Sequence, residues 1–135
     1  MSLKTTAYLA IVTGIGILLF WIAFFTVGLA PENPPACYFA YEHSFPLPDT
    51  VLALSLIIGG MLAIKKGVRA SLVPLLPASG GLIFLGLLDI AFNWQNGMYT
   101  ITVMDGVLNA FINIWCVVFG LCAILSLQRE FAKKS

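Results

Sequence analysis

The sequence has little charge and few of the residues from which soluble catalytic sites are built. Charged side chains make up 10% of its 135 residues, against about 25% in ordinary soluble domains. It has a single histidine, and it contains no Cys-x-x-Cys pair, no Gly-x-Gly-x-x-Gly loop and no His-Glu-x-x-His motif. These absences remove the usual signatures of thiol-redox, dinucleotide-dependent and zinc-dependent enzymes, and we predict no metal site.

Cysteine usage and net charge exclude two further classes of protein. Cys37, Cys116 and Cys122 are odd in number and irregular in spacing, so they do not form a disulfide framework. The formal net charge is +1, which gives no basis for binding nucleic acid.

What the sequence holds instead is apolar surface. Hydrophobic residues make up 60% of the chain, and its mean hydropathy is +0.98. A water-soluble fold of this size cannot bury so much apolar surface, so we predict an integral membrane protein with the lipid bilayer as its surroundings.

Four apolar segments are long enough, or nearly long enough, to cross a bilayer. They cover about residues 7–29, 49–65, 72–94 and 105–127. Pro74 and Pro77 fall in the first turns of the third segment, where proline is tolerated because those N–H groups lack helical partners. We therefore predict an all-α fold, a four-helix transmembrane bundle that forms one domain over residues 1–135.

The basic residues predict the orientation of this bundle. All seven fall on one side of the spans. They are Lys4, Lys65, Lys66, Arg69, Arg129, Lys133 and Lys134. Because basic residues are retained on the cytoplasmic side, we predict cytoplasmic N and C termini in the inner (plasma) membrane. The loops 30–48 and 95–104 are then extracytoplasmic.

The acidic residues, apart from Glu130, sort to the opposite side. The first outer loop, residues 30–48, holds five prolines. Since each proline fixes φ, we predict a stiff, non-helical segment that can lie across the bundle. Asp49 and Asp105 come where the second and fourth spans begin, and we predict that each is a helix N-cap.

Asp89 is the acid placed deepest, inside an apolar stretch near the end of the third span. Intramembrane acids cost about 2.5–3.5 kcal/mol on insertion scales and usually face the bundle interior. Asp105, Asn109 and Asn113 recur at intervals of four and share one face of the fourth span. We predict a polar seam that joins these three residues to Asp89 and Asn93. The alternative, that the seam only holds two helices together, stays open because such contacts average about 0.6 kcal/mol.

The first outer loop carries two more polar residues, Glu42 and His43, that can fold over the outer end of this seam. They complete our set of ligand-binding candidates, which is Glu42, His43, Asp89, Asn93, Asp105, Asn109 and Asn113. The sequence names no catalytic residue and no cofactor.

Three stretches resemble a group of small, uncharacterised prokaryotic four-span membrane proteins. They are Glu42-x-x-Phe45-Pro46-x-Pro48-Asp49, the run from Gly81 to Asp89, and Asn96-Gly97-Met98-Tyr99. The resemblance covers most of the chain and implies an integral membrane protein, without implying a particular activity.

Three functions fit these features. The one we favour is a non-catalytic accessory subunit, or a binder of a lipid-like small molecule at the outer-leaflet mouth, with a membrane-protein partner or a homo-oligomer as possible assemblies. The second is a lipid-phase enzyme with Asp89, His43 and Glu42 as acid–base groups. The third is a small transporter, which would need a dimer to enclose a path because no duplicated half is visible.

Overall fold

The structure is a computed structural model that describes residues 1–133, so that Lys134 lies outside the described residues. The described chain contains six helical segments. They are α1 (Leu3–Thr26), α2 (Tyr38–Glu42), α3 (Pro46–Lys66), α4 (Val68–Gln95), a 3₁₀ turn (Met98–Thr100) and α5 (Val103–Ala132).

The four long helices, α1, α3, α4 and α5, are each long and apolar enough to cross a membrane. This confirms the predicted all-α, four-helix architecture. Large apolar side chains such as Val73, Phe84 and Ile114 are exposed on the outside of the bundle. Such surfaces suit acyl chains, in which the helical backbone satisfies its own hydrogen bonds.

The helix ends differ from the predicted spans. α3 begins at Pro46 and not at Asp49, because Pro46 and Pro48 fit the first turn of a helix, where a missing N–H costs nothing. α4 begins at Val68, which places Pro74 and Pro77 inside the helix. The outer loop was predicted to be non-helical, yet it contains α2, and its last residues belong to α3.

Successive long helices pack antiparallel, α1 on α3, α3 on α4 and α4 on α5, whereas the direct contact between α1 and α5 is much smaller. α3 and α4 are joined by Gly67 alone. Its φ of +84° and ψ of −174° lie in a region that only glycine adopts readily, which makes so short a reversal possible.

Two of these interfaces are backbone-to-backbone contacts that depend on glycine. A Cβ added to Gly14 of α1 would lie 2.6 Å from the Ala53 carbonyl oxygen of α3. One added to Gly86 of α4 would lie 2.8 Å from the Asn113 carbonyl oxygen of α5. Small residues permit this close approach of the two backbones, which larger side chains would prevent.

The start of α1 and the last turns of α5 meet at one end of the bundle. Thr6 Oγ1 of α1 donates to Ser126 Oγ of α5 at 2.7 Å, and Ser126 Oγ donates to the Met1 carbonyl oxygen at 3.2 Å. The described basic residues lie in the terminal turns of helices at this end, which we call the cationic end. The opposite end, with the two outer loops, is the acidic end. The cytoplasmic side of the cationic end stays a prediction.

Candidate functional site

A cavity of about 300 Å³ lies inside the bundle at its acidic end. All four long helices line it, and Glu42 and Phe45 border it from the α2 side. The wall is mainly apolar, with the aromatic rings of Phe20, Trp21 and Trp115 among its residues. Its volume is at the lower end of the range of about 300–1,000 Å³ that is usual for small-molecule sites.

Five acidic or amide side chains contribute to this wall. They are Glu42, Asp49, Asp89, Asn109 and Asn113. The described residues that line the cavity include no lysine, arginine or histidine. The wall therefore carries three carboxyl groups with no basic side chain beside them.

Asp49 is the most buried of these acids, with 8% of its surface exposed. Trp21 Nε1 donates to Asp49 Oδ2 at 2.9 Å, whereas Asp49 Oδ1 is buried without a hydrogen-bond partner. The prediction that Asp49 is an N-cap is wrong, since Phe45 occupies that position and Asp49 points to α1. A buried acceptor left unsatisfied costs about 1–3 kcal/mol, so Oδ1 is the atom at which a donor from a ligand would stabilise the site most.

Asp89 is held by α2. The Tyr41 hydroxyl donates to Asp89 Oδ1 at 2.6 Å, and the Tyr41 ring stacks on Phe92 with centroids 3.8 Å apart. These contacts fasten the short helix onto α4 above the cavity. Asp89 thus lines the same cavity as Asn109 and Asn113, but its hydrogen-bond partner is Tyr41 of α2 and neither of these asparagines.

The polar residues of α5 have separate partners. Asn113 is buried, and its Nδ2 donates to the Tyr99 hydroxyl at 2.9 Å. Asn109 Nδ2 donates to the Asp105 carbonyl oxygen within the helix, also at 2.9 Å. Thr102, and not Asp105, is the N-cap of α5: its Oγ1 accepts from the Asp105 N–H at 3.1 Å and donates to Asp105 Oδ2 at 2.6 Å. The predicted cap therefore lies one turn too late in the sequence. Asp105 instead occupies the position that the acid takes in a capping box, three residues after the N-cap.

The structure brings together four of the seven candidates, since Glu42, Asp89, Asn109 and Asn113 all line the cavity. The other three lie elsewhere. Asn93 is buried in α4 but does not border the cavity, and Asp105 serves the start of α5. His43 is exposed and packs its ring against phenylalanines, including Phe25 with centroids 5.8 Å apart.

The contribution of α1 was missed by the sequence analysis. Trp21 holds Asp49, and Thr13 Oγ1 accepts from Trp115 Nε1 of α5 at 3.1 Å at the inner part of the cavity. α1 has no charged residue after Lys4, so its sequence carries no signal of a polar site. The available signal was the tryptophan itself, because a buried indole N–H usually has a hydrogen-bond partner.

The cavity borders the gap between α1 and α5. Phe20 of α1 and Phe111 and Ile112 of α5 line the cavity and are also exposed on the outside, by 36%, 64% and 42%. The polar contacts between these helices lie farther toward the cationic end, at Thr13–Trp115 and Thr6–Ser126. In the acidic-end half, the boundary between the two helices is therefore both cavity wall and outer surface, and it would face the acyl chains of a bilayer.

Burial changes the pKa values of the titratable side chains in α2, the segment that covers the cavity. It raises the pKa of the Glu42 carboxyl to about 7, and the nearby Asp89 and Asp49 carboxyl groups add to that rise. Burial also raises the pKa of the Tyr38 and Tyr41 hydroxyls. Tyr41 therefore stays protonated and remains a donor to Asp89 across the physiological range.

The fold and the cavity define a class of small α-helical protein in which four helices, each long and apolar enough to cross a membrane, surround an acid-lined cavity. Within that class, the chain belongs to the family described as a domain of unknown function (DUF8058), whose family model matches residues 1–134. No significant match was found among curated proteins or among solved structures.

Proposed function

We propose that the protein binds a lipid-like small molecule in the cavity at the acidic end. The observation that carries this proposal is the cavity itself, which combines a mainly apolar wall with a few convergent polar groups and with wall residues of α1 and α5 that are also exposed on the outside. That combination is typical of small-molecule sites, in which apolar surface supplies affinity and a few polar groups set orientation.

The direction of access follows from the same geometry. α2 covers the cavity from above through Tyr41, whereas Phe20 and Phe111 flank an opening on the side of the bundle. An amphiphile would enter sideways from the leaflet, with its polar group toward Asp49 and Asp89 and its chain between α1 and α5. We place this opening in the outer leaflet of the inner (plasma) membrane of a prokaryotic cell, with loops 30–48 and 95–104 extracytoplasmic.

Two other functions rank below binding. A lipid-phase enzyme remains the alternative because Asp89 and Glu42 both face the cavity, although His43, its third proposed group, packs outside it. Transport ranks last because the described core beyond Cys116 is filled by side chains such as Leu75 and Phe119. An accessory role would instead be supported by a stoichiometric partner that co-purifies in mild detergent.

Photo-crosslinking tests the proposal. The purified protein is placed in nanodiscs with single-chain amphiphiles that share a diazirine-bearing chain and carry an amine, an alcohol or a carboxylate head. We expect at least one of them to form adducts at cavity residues such as Phe20 and Ile112 in preference to Val73, which is exposed on α4.

Two matched leucine variants sharpen this test. Gly16 lines the cavity and Gly80 does not, and an added Cβ meets nothing within 4 Å at either position. Gly16→Leu should occupy part of the cavity and reduce the adducts there several-fold, whereas Gly80→Leu should leave them unchanged. Uniform labelling of lipid-exposed positions with every head group, insensitive to Gly16→Leu, would refute the proposal.

A further inference from the structure

We propose that the ligand is an amphiphile whose head is a protonated amine, held by Asp49 and the acids beside it. This inference rests on the proposed function, because it specifies the head group of the molecule that the cavity binds. It depends on three features of the site: an acceptor without a partner, uncompensated carboxyl groups, and aromatic rings around them.

The acceptor is Asp49 Oδ1. The side chain is more than nine-tenths buried and lines the cavity, and its other oxygen already accepts from Trp21 Nε1. Oδ1 is left with no partner in the described protein. A primary ammonium offers three N–H donors and a positive charge, so it satisfies this oxygen with a charge-assisted hydrogen bond.

The charge argument concerns Glu42, Asp49 and Asp89 together. The three carboxyl groups line one cavity, and no basic side chain in the described wall offsets them. An alcohol head would leave the negative charge of the ionised carboxylates unbalanced, and a carboxylate head would increase it. A cation offsets part of that charge, since opposite charges attract most strongly where water is excluded.

The choice between an organic cation and a metal ion follows from geometry. In the described part of the chain, no group of three or more His, Cys, Asp or Glu side chains could hold a metal ion. The rings of Trp21, Phe20 and Phe45 belong to the same cavity wall as Asp49. Ammonium groups bind favourably over aromatic faces, whereas the apolar remainder of the wall suits a hydrocarbon chain.

Competition against the photoprobes tests the inference. Unlabelled dodecylamine, dodecanol, dodecanoate and dodecyltrimethylammonium are titrated at neutral pH into the wild-type protein in zwitterionic nanodiscs. Labelling of the cavity is normalised to labelling of Val73, which corrects for different partitioning into the bilayer. Because charge-assisted hydrogen bonds are roughly twice as strong as neutral ones, we expect dodecylamine to compete at a concentration at least about tenfold below dodecanol. Dodecyltrimethylammonium, which has no N–H donor, should fall between the two.

Variants test whether the cavity acids cause the preference for dodecylamine over dodecanol. Asp49→Asn should bring dodecylamine to within about twofold of dodecanol, because the charge is lost while size is kept. Asp105→Asn, outside the cavity, should retain the wild-type preference. Glu42→Gln is a second cavity variant, expected to weaken the preference even if Asp49→Asn does not fold.

The outcomes separate the two proposals. Equal competition by the amine and the alcohol in the wild-type protein would overturn the amine head and leave the lipid-binding function standing. A preference that persists in both Asp49→Asn and Glu42→Gln would overturn it as well. Failure of every photoprobe to label the cavity would overturn the function itself.

Discussion

At the scale of single residues, two of the three cavity acids are held by neutral donors on aromatic side chains. Trp21 donates to Asp49 and Tyr41 donates to Asp89, at 2.9 Å and 2.6 Å. A neutral donor orients a carboxyl group without neutralising it, whereas a lysine or arginine would form a closed ion pair. The site thus keeps its acids positioned and available, which is what a binding cavity for a cationic head requires.

Glu42 gives a pH dependence that can be measured. Its pKa is raised from 4.5 to about 7, chiefly by burial. Between those two values the folded protein holds a proton that the unfolded chain has released, so the free energy of unfolding should fall as pH rises through this interval. Thermal unfolding in mild detergent over this range should show the decline, and Glu42→Gln should make it shallower.

The control for this measurement lies in the same loop. Glu32 is exposed, so Glu32→Gln should leave the pH dependence of the wild-type protein unaltered. An identical pH dependence in Glu42→Gln and in the wild-type protein would show that Glu42 does not contribute to it.

At the scale of helices, the bundle is built from close pairs separated by a looser boundary. α1 approaches α3 at Gly14, and α4 approaches α5 at Gly86, close enough that a methyl group would meet a backbone carbonyl. α1 and α5, in contrast, make little direct contact, and where they border the cavity their residues are also exposed on the outside. The short helix α2 is fixed to α4 by Tyr41, so it covers this space without filling it.

Glycines of α4 offer a matched test of this packing. Gly86→Ala would place its Cβ 2.8 Å from the Asn113 carbonyl oxygen, and the helices would have to separate. We expect a loss of about 1–3 kcal/mol, the usual range for overpacking, measured as reduced resistance to denaturant in detergent. Gly80→Ala, whose Cβ meets nothing within 4 Å, should be neutral or slightly stabilising because alanine favours the helix. If the two variants were equally stable, close packing at Gly86 would not hold α4 against α5.

At the scale of the whole molecule, the alternation of four antiparallel helices separates charge along the bundle. Basic residues collect where α1 begins, α3 meets α4 and α5 ends, and the cavity acids lie at the other end. The positive-inside rule acts on this polarity, and it predicts that the cavity lies on the extracytoplasmic side.

Cysteine labelling tests the orientation directly. Cys37 is exposed in the first outer loop, and Cys116→Ala with Cys122→Ala removes the other two thiols. A membrane-impermeant maleimide should label Cys37 in intact cells. The matched control adds Ser2→Cys at the cationic end and Cys37→Ser, and should be labelled only after permeabilisation. The reverse pattern would invert the proposed topology.

The cavity shows which features of the site local sequence patterns can predict and which they cannot. Asp89 and Asn113 were expected near each other because adjacent antiparallel spans bring equal depths together, and both line the cavity. Their hydrogen-bond partners, Tyr41 and Tyr99, lie outside the long helices, where no periodicity predicts position. Asp49 resembled a cap because helix ends are read from short motifs, and two prolines moved the end by a turn.

Hydropathy alone determined four apolar helices, because a bilayer-spanning helix satisfies its backbone within one continuous segment and needs no distant partner. The distribution of lysine, arginine and acidic residues, together with that count, determined which helix ends share a side. Tertiary structure decided the site. The acceptor on Asp49 that lacks a partner, the lid formed by α2 and the gap between α1 and α5 depend on contacts between segments far apart in the chain. Those contacts are set by the combined shapes and donors of several helices, which no single segment encodes.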